Sequence, residues 1–488
     1  MPLLIPSPAS LSSTPARPRT LFAQQSSSVD AADTVERYLT QNDCDALFRR
    51  IVQLTQRGDT LVTISSIWKG TTNWVRNEIL ESSDRVDHNL TITRIVQNAR
   101  GSAVANQLDD DSLRLAISMA ERQVTREMED ASIDYVSGPR AYSKPDLFKA
   151  TTYDLLAAGR SSAARELVAP AVAHGVLAAG CLEARVDATG VYDTKGLASY
   201  YAGTNARYSV TVRDSSGTAS GWAGVDNADW ARIDAAALSM RALEKCLASV
   251  NPVAIEPGRY TVILEPQAVY DLFVVSLWKE VLLRLDNEKY DRFPYSLRRA
   301  PRNGVGLAKF GLQLLDERLT ISTDPEDPDA GYFPFDDDGM PYQKANWIEQ
   351  GVLRQLPYDL DYALSRLGKG AALPPTLAFR MSGGPTSLDE MIATTERGLL
   401  ITRFTNVQLI DKRSVLATGT TADGTWLIEH GQRSRPVKNF RFNMSPLLAF
   451  NAVEQLGLPQ RVFAPGAPAI VPAAKLRDFN LTSSSDTI

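Results

Sequence analysis

The chain has 488 residues, of which 44% are hydrophobic and 22% are charged, and it carries a formal net charge of -5 with a pI near 5.5. This composition indicates a folded protein long enough for two or more domains, and its acidic balance argues against nucleic acid or an anionic membrane as the main partner. The three cysteines, Cys44, Cys181 and Cys246, are far apart and show no Cys-x-x-Cys spacing. They predict neither a disulfide framework nor a thiolate zinc site, and they favour a reducing cytoplasm.

Residues 1–34 are rich in proline and serine and carry little charge, so we expect a disordered tail. The segment lacks the basic region and uninterrupted apolar core of a secretory signal. A targeting segment and a mis-assigned start remain open as alternatives.

Residues 35–255 predict an α+β domain. Apolar residues from Ala46 to Leu54 recur at helical spacing until Gly58, and a second helix is predicted after Asp111. Between the two helices lie the β-rich segments LVTISSIW, NWVRNEIL, NLTITRIVQ and SAVANQL. Short polar turns separate these segments, which favours an antiparallel meander.

The most apolar run, from Leu167 to Leu182, predicts a buried helix. It is shorter than the ~20 residues that a membrane-spanning helix needs. Glycine-punctuated strands follow, and Asp234 is predicted to cap a helix reaching Leu247. Turns at Pro252 and Pro257 place the domain boundary near residue 255, with a second domain over 256–488.

The second domain opens with a predicted strand and then a helix from Gln267 to about Lys289. Asp336, Asp337 and Asp338 precede Gly339; calcium loops space their acids alternately, so a solvated turn is favoured over a cation site. The run Ser387-Leu-Asp-Glu predicts a capped helix that Gly398 closes.

From Gly398 to Pro446 the sequence predicts successive β segments. In the last of them Phe440 and Phe442 alternate with polar Asn439, Arg441 and Asn443, as one buried and one polar strand face require. A helix is then predicted from a Ser445 cap to Gly457.

The order of motifs in this region resembles the C-terminal half of the TldD/PmbA family of metallopeptidase-related proteins. The motifs are Gly-Leu-Leu-Ile-Thr-Arg-Phe, Thr-Gly-x-Thr-x-Asp-Gly-Thr, Ile-Glu-x-Gly and Arg-Pro-Val-Lys-Asn-x-Arg-Phe-Asn, in that order. The resemblance implies an α+β fold, with an N-terminal α/β-meander domain and a C-terminal β-rich domain.

Peptidases of that family carry His-Glu-x-x-x-His on the helix after the first strand of the C-terminal domain. A gapless comparison places Val274, Val275 and Lys279 at these positions, and a shifted one places Lys279, Glu280 and Arg284 there. Protonated lysine and arginine offer a metal no lone pair. The family's third ligand is a cysteine near the C-terminus, and this chain has no cysteine after Cys246.

The resemblance therefore implies a PmbA/TldE-like member without catalytic residues, metal ligands or a cofactor of its own. Zinc is expected in a partner subunit. The three histidines, His88, His174 and His430, fall in separate regions and do not predict a zinc site.

A peptide-binding surface is predicted on the last strands, because extended peptides commonly bind by adding to a sheet edge. Its candidate residues are Arg403, His430, Lys438, Asn439, Arg441 and Asn443. Structural roles remain open for all of them. For His430 a structural position on the face of Trp426 and Ile428 is the favoured alternative.

We expect a non-catalytic partner subunit of a two-component cytoplasmic zinc peptidase that degrades or matures small or unfolded peptides. Its partner would be a zinc-bearing TldD-like homologue, in a dimer or hetero-oligomer. The alternatives are a metal-independent peptide hydrolase using Glu280 or Asp286, and a peptide-binding scaffold with no hydrolytic role.

Overall fold

The structure is a computed structural model. It describes residues 37–55, 58–96, 99–124, 138–274, 276–278, 298–299, 307–308, 311–358, 360, 363, 372–411 and 414–485. Helices and mainly antiparallel sheets alternate along these residues, which confirms the predicted α+β class. The predicted tail lies outside the described residues, and the boundary near residue 255 stays a prediction.

The N-terminal half is built on a six-stranded sheet in the order β3-β2-β1-β4-β5-β6. Neighbouring strands are all antiparallel, and β1 pairs with both β2 and β4. The strands are β1 Asp59–Val75, β2 Glu78–Val96, β3 Ala99–Ala105, β4 Leu177–Asp193, β5 Ala198–Arg213 and β6 Ser220–Asn227.

The prediction of NWVRNEIL as one strand was wrong. Arg76 and Asn77 have φ values of 54° and 69° and form the turn between β1 and β2. Two consecutive left-handed residues match the right-handed twist of the strands that they join. The four predicted segments therefore become three strands, of which β1 and β2 are longer than predicted.

Helices cover one face of this sheet. Side-chain oxygens of Thr40, Asp109 and Asp234 accept a backbone N–H at the start of α1, α2 and α5 respectively, which confirms the predicted cap at Asp234. The helices are α1 Gln41–Leu54, α2 Asp110–Gln123, α3 Ala150–Tyr153, α4 Ala157–Ala173 and α5 Ala235–Ala248, and a 3₁₀ turn spans Trp230–Arg232. Gly221 allows α5 to approach closely, since a Cβ there would lie 2.1 Å from the carbonyl oxygen of Ala242.

The apolar run from Leu167 to Leu182 is not one helix. α4 ends at Ala173, Gly175 takes a φ of 67°, and β4 begins at Leu177. Burial then follows the two-residue strand period at Ala178 and Leu182. Within the described residues, no helix is long and apolar enough to span a bilayer.

The opposite face of the N-terminal sheet, here called the polar face, carries charged side chains in register. Arg85, Lys69 and Arg185 are direct neighbours across β2, β1 and β4. Acids nearby on the strands compensate this row, since Arg85 pairs with Asp87 at 2.7 Å and Lys69 with Glu183 at 2.9 Å. The polar face is only partly covered, and Arg85 retains 71% of its side-chain exposure.

The C-terminal half contains a closed barrel in which β14, β7, β21, β17, β15 and again β14 pair in turn. Its strands are β7 Gly258–Leu264, β14 Arg397–Asp411, β15 Leu416–Glu429, β17 Asn439–Met444 and β21 Ala474–Ser485, with β16 Gln432–Pro436 and β18 Val453–Leu456 attached. Phe440 and Phe442 are fully buried between partly exposed neighbours, as their alternation predicts. Phe442 packs against Phe404 and Phe479, with ring centroids 4.7 and 5.5 Å away.

A second six-stranded sheet, in the order β12-β11-β10-β13-β20-β19, adjoins the barrel. Its strands are β10 Ile321–Thr323, β11 Ala345–Glu349, β12 Val352–Leu353, β13 Phe379–Met381, β19 Gln460–Arg461 and β20 Ala469–Val471, and β8 Arg298–Arg299 pairs separately with β9 Leu307–Ala308. The helices are α6 Pro266–Phe273, α7 Leu388–Ala393 and α8 Pro446–Ala449. α6 packs on this sheet through Tyr270 and Phe273, whose rings lie 6.3 and 5.3 Å from that of Phe379.

Two predicted helices are shorter than expected. α7 has the predicted capping box at Ser387 but ends before Thr394. After α8 the chain forms β18 on the edge of β21, and so the helix predicted to reach Gly457 was wrong. Ser445 is at the N-cap position of α8 and Pro446 is in its first turn, as predicted, but the Ser445 hydroxyl donates to the carbonyl oxygen of Ser414 at 3.1 Å and makes no capping bond.

The acidic turn before Gly339 docks on the N-terminal sheet. The Thr63 hydroxyl donates to the Asp337 carbonyl oxygen and Tyr142 donates to that of Gly339, both at 2.8 Å. The Asp336 carboxylate accepts the N–H groups of Asp338 and Met340. The turn is therefore a structural link between the two halves, with Asp337 exposed at its tip.

Candidate peptide-binding site

Asp271 on α6 joins this helix to the barrel. Gln267, one turn earlier, donates from Nε2 to Asp271 Oδ1 at 2.8 Å, and the Phe404 N–H donates to Oδ2 at 3.0 Å. Burial raises the pKa of Asp271 to about 7, and these two hydrogen bonds and Arg403 oppose that rise only in part. The carboxyl group of Asp271 therefore titrates near neutral pH.

Arg403 is half-buried between the barrel and the N-terminal sheet. A bulge in β15, where Asp423 and Gly424 have φ values of 54° and 121°, turns the buried Asp423 carboxylate toward β14. Arg403 Nε donates to Asp423 Oδ2 at 2.6 Å, and the guanidinium lies 4.7 Å from the ring centroid of Trp222 on β6. Arg403 thus joins the barrel to the N-terminal sheet.

His430 lies in the turn between β15 and β16. Its side chain is 85% exposed, and Nδ1 is 2.5 Å from Glu396 Oε1. β15 ends at Glu429, and His430 takes a φ of 51°, so the strand alternation that would have placed it with buried Trp426 and Ile428 stops one residue earlier. The predicted position of His430 on the face of Trp426 and Ile428 was therefore wrong.

Of the remaining candidates, Lys438 and Asn439 line one cavity of about 220 Å³ beside Ser249 and Ser485. Asn439 Oδ1 accepts the hydroxyl groups of Thr421 and Thr425, each at 3.1 Å. These bonds fix Asn439 within the barrel wall.

Arg441 and Asn443 follow Asn439 on the same face of β17, beside Ser483 and Thr418 of the neighbouring strands. Neither residue lines the cavity of Lys438 and Asn439. The structure therefore brings two of the six candidates together, and peptide binding by this set stays a prediction.

The side chains near α6 do not fit a zinc ion. Val274, at the first ligand position of the gapless comparison, is buried, while Val275, Lys279, Glu280 and Arg284 lie outside the described residues. The histidines are separate: His88 is on β2, His174 follows α4, and His430 is in the barrel turn.

The thiols do not supply ligands either. Burial raises the pKa of Cys181 and Cys246 to about 11 and that of Cys44 to about 12, so all three are protonated at neutral pH. Within the part of the chain that the structure describes, no group of three or more histidine, cysteine and acidic side chains could hold a metal ion.

A cavity of about 560 Å³ lies between the polar face and two C-terminal segments, residues 326–333 and 461–468. Its floor is formed by Arg185 and Asp187 of β4 and by Asn205 and Arg207 of β5. Tyr332 and Phe333 line the C-terminal side. This volume lies in the range of ligand sites, which commonly form where two parts of a protein meet.

Ion pairs fix the C-terminal wall of this cavity. Arg461 reaches across to β6, where Nη2 lies 3.1 Å from Asp226 Oδ2, and it also donates to the carbonyl oxygen of Asp329. Asp226 Oδ1 accepts the Ala464 N–H at 2.8 Å. Asp327 is held by Arg380 at 2.7 Å. The wall charges are therefore largely satisfied within the protein.

The floor is bonded more loosely. Arg185 and Asp187 form a 2.6 Å bond, but Arg207 Nη1 is 3.3 Å from Glu183 Oε1, and Asn205 Nδ2 is 3.4 Å from Asp226 Oδ2. Arg207 Nε and Asn205 Oδ1 are buried and have no hydrogen-bond partner among the described residues.

These floor residues were missed by the sequence analysis. Their signal was the period-two placement of polar residues in LEARVDATG and TNARYSV, which marks one polar face on β4 and β5. Residues 326–333 and 461–468 also line the cavity, but their sequences show no comparable pattern that would have predicted it.

Comparison with known proteins identifies the C-terminal half. Residues 257–483 match the family model described as the PmbA/TldA metallopeptidase C-terminal domain. No curated protein matched the sequence.

Solved structures match nearly the whole chain. TldE from Thermococcus kodakarensis is 17% identical, with a TM-score of 0.71 over 90% of this chain and 100% of that one. A putative modulator of a DNA gyrase from Thermotoga maritima is 15% identical, with a TM-score of 0.75 over 90% of this chain and 100% of that one. A protein of the same description from Bacteroides thetaiotaomicron is 17% identical, with a TM-score of 0.75 over 91% of this chain and 100% of that one.

At these identities the structural matches show the fold, and the family model adds the sequence evidence. Together with the ordered motifs on β14, β15 and β17, they lead to one conclusion: residues 257–483 form a C-terminal domain of the metallopeptidase-related PmbA/TldD family.

Proposed function

We propose that this chain is the metal-free partner subunit of a two-component zinc peptidase that acts on small or unfolded peptides. One observation carries the proposal: the family's fold is present over nine tenths of the chain, while the segment that follows α6 in sequence has valine, lysine and arginine in place of zinc ligands. A chain that keeps the fold without the ligands suits a supporting role, with zinc and its bound water supplied by a homologous subunit.

The chain's contribution would be to bind and enclose the substrate. The cavity on the polar face is roomy enough for a short peptide segment, and its charged walls are already paired within the protein. Such a surface can bind peptides that differ in the charges of their side chains. A peptidase that acts on unfolded substrates needs this tolerance. We place this assembly in the cytoplasm, in keeping with three protonated thiols and no cysteine spacing for disulfides.

Co-expression with a zinc-bearing homologue from the same cell tests the proposal. We expect the two chains to co-purify as a hetero-oligomer whose zinc, by elemental analysis, matches the homologue alone. We also expect cleavage of an unstructured peptide such as a casein fragment. The matched control is the same pair with the homologue's motif histidines replaced, which should keep the association and lose both zinc and cleavage.

Three results would overturn the proposal: failure of the chains to associate, stoichiometric zinc in this chain alone, or peptide cleavage by this chain after chelator treatment. The last of these would favour a metal-independent hydrolase. Glu280 and Asp286, the residues suggested for that activity, lie outside the described residues.

A further inference from the structure

The floor of the 560 Å³ cavity has polar atoms without hydrogen-bond partners, and these point to a second feature of this chain. Asn205 and Arg207 are two residues apart on β5, with Ala206 between them buried against the helices. Both side chains therefore project from the polar face, about 6.6 Å apart along the strand. One offers an unpaired acceptor, Asn205 Oδ1, and the other an unpaired donor, Arg207 Nε–H.

An unpaired buried polar atom is costly, so its presence at a cavity floor needs an explanation. Both side chains are half-buried at the cavity, and their existing bonds of 3.3 and 3.4 Å are longer than most hydrogen bonds of their kind. A change of side-chain rotamer would thus bring the unpaired atoms to the cavity at the expense of weak contacts only.

The residues behind them can tolerate that change. Glu183 keeps Lys69, whose Nζ lies 2.9 Å away, when Arg207 turns aside. Asp226 likewise keeps Arg461 and the Ala464 N–H when Asn205 turns aside. No buried carboxylate loses its last partner.

We propose that Asn205 and Arg207 form a site for the main chain of an extended peptide. Asn205 Oδ1 accepts a peptide N–H, and Arg207 Nε donates to a peptide carbonyl oxygen. In an extended chain the groups on one side recur every second residue, which is the spacing of the two side chains on β5. Gly203, opposite Asp187 on the same face, also lines the cavity.

A site of this kind recognises the peptide bond and ignores the side chains. Tyr332 and Phe333 on the opposite wall add apolar area without selecting a charge. The inference rests on the proposed function in taking peptide as the ligand, and it assigns the binding to this chain, independent of zinc.

The test uses the full chain alone and fluorescein-labelled hexaalanine, with binding measured by fluorescence anisotropy. Removing one hydrogen-bonding group should weaken binding about threefold to tenfold, so we expect that loss for both Asn205→Ala and Arg207→Ala. Arg85→Ala is the matched control, because Arg85 is on the same polar face but does not line the cavity.

A second probe separates the two roles. In hexaalanine with N-methylated peptide bonds, these bonds have no N–H to donate a hydrogen bond to Asn205 Oδ1. The native chain should therefore bind this peptide more weakly than hexaalanine. Asn205→Ala should reduce this preference, whereas Arg207→Ala should keep it. The inference fails if the native chain shows no preference, if all variants bind alike, or if millimolar hexaalanine does not bind.

Failure here is distinguishable from failure of the proposed function. Arg207→Ala should still associate with the zinc-bearing homologue, since Arg207 is half-buried at the floor of the cavity. If the native chain binds hexaalanine but never associates with such a homologue, the result supports the peptide site and contradicts the partner role.

Discussion

The N-terminal sheet and the C-terminal barrel bury their apolar side chains in different ways. The sheet packs one face against helices and leaves its polar face partly open, with Arg85, Lys69 and Arg185 in one row. The barrel closes on itself, and its interior is filled by Phe404, Phe442 and Phe479. Closure leaves the barrel strands without a free edge along their paired lengths.

This difference bears on where a ligand can bind. The sequence pattern drew attention to the barrel strands, where Arg403 and Asn439 turn out to be fixed by Asp423 and by two threonines. The open polar face, with Arg207 and Asn205 at the floor of the cavity, had weaker motifs. In this chain the recognisable motifs mark structural parts of the barrel.

Removal of a barrel ring should give the largest effect. We expect Phe442→Ala to lower the free energy of unfolding by about 3–5 kcal/mol, because the surrounding rings cannot fill the cavity that it leaves. Thr71→Ala, on the polar face of β1, should stay within about 0.5 kcal/mol of the native protein. Urea unfolding monitored by circular dichroism measures both, and equal losses would show that the polar face is as tightly packed as the barrel.

Breaking the link between the two regions should rank next. Arg403→Ala leaves the Asp423 carboxylate buried without its cation, and the expected loss is about 3 kcal/mol. Arg403→Ala combined with Asp423→Ala should lose less than the single change, since no unpaired charge remains. A double variant as unstable as the sum of the two single variants would mean that the pair acts through packing alone.

The pH dependence isolates Asp271. Burial raises the pKa of its carboxyl group to about 7 in the folded protein, against about 3.9 when unfolded, so the folded state binds the proton more readily. The free energy of unfolding should therefore fall as pH rises from about 4 to about 7. Asp271→Asn removes this contribution. The free energy of unfolding of the variant, relative to that of the native protein, should therefore rise as pH increases across that window.

Asp336 contributes in the same direction, because burial raises the pKa of its carboxyl group to about 7 as well. Asp271→Asn should therefore flatten the profile only in part, and Asp271→Asn with Asp336→Asn should flatten it further. Denaturant unfolding at pH 5 and pH 8 measures the difference. Parallel profiles for native and Asp271→Asn proteins would contradict the burial argument.

The smallest effect is expected at His430. Its side chain is 85% exposed and pairs with Glu396 at the surface of the barrel turn, so His430→Ala should change the free energy of unfolding by less than about 0.5 kcal/mol. Glu396→Ala is the matched control and should behave alike. A loss above 1 kcal/mol would assign the turn a larger role in barrel closure than its contacts indicate.

Periodicity and capping gave most of the local structure correctly. The α+β class, the cap at Asp234, the capping box at Ser387 and the alternation around Phe440 each depend on neighbouring residues, which the sequence shows directly. Two of the failures share a cause. The runs after Ala173 and Ala449 are apolar in a helical register too, and only pairing with distant strands makes them β4 and β18.

The site was less predictable for the same reason. The absence of a zinc motif could be seen in the sequence, but the cavity joins β5 to residues 326–333 and 461–468, and no local pattern encodes that meeting. Asn205 and Arg207 become candidates only once their missing partners are visible.

The order of strands in the N-terminal sheet also governs how the chain must be made. β1 ends at Val75 while its second neighbour, β4, begins only at Leu177. A nascent chain therefore presents one long edge of β1, rich in valine, isoleucine and threonine, until the ribosome has synthesised about a hundred more residues. Slow, non-local closure of this kind favours aggregation, so the yield of folded protein should depend on chaperones that shield this strand during translation.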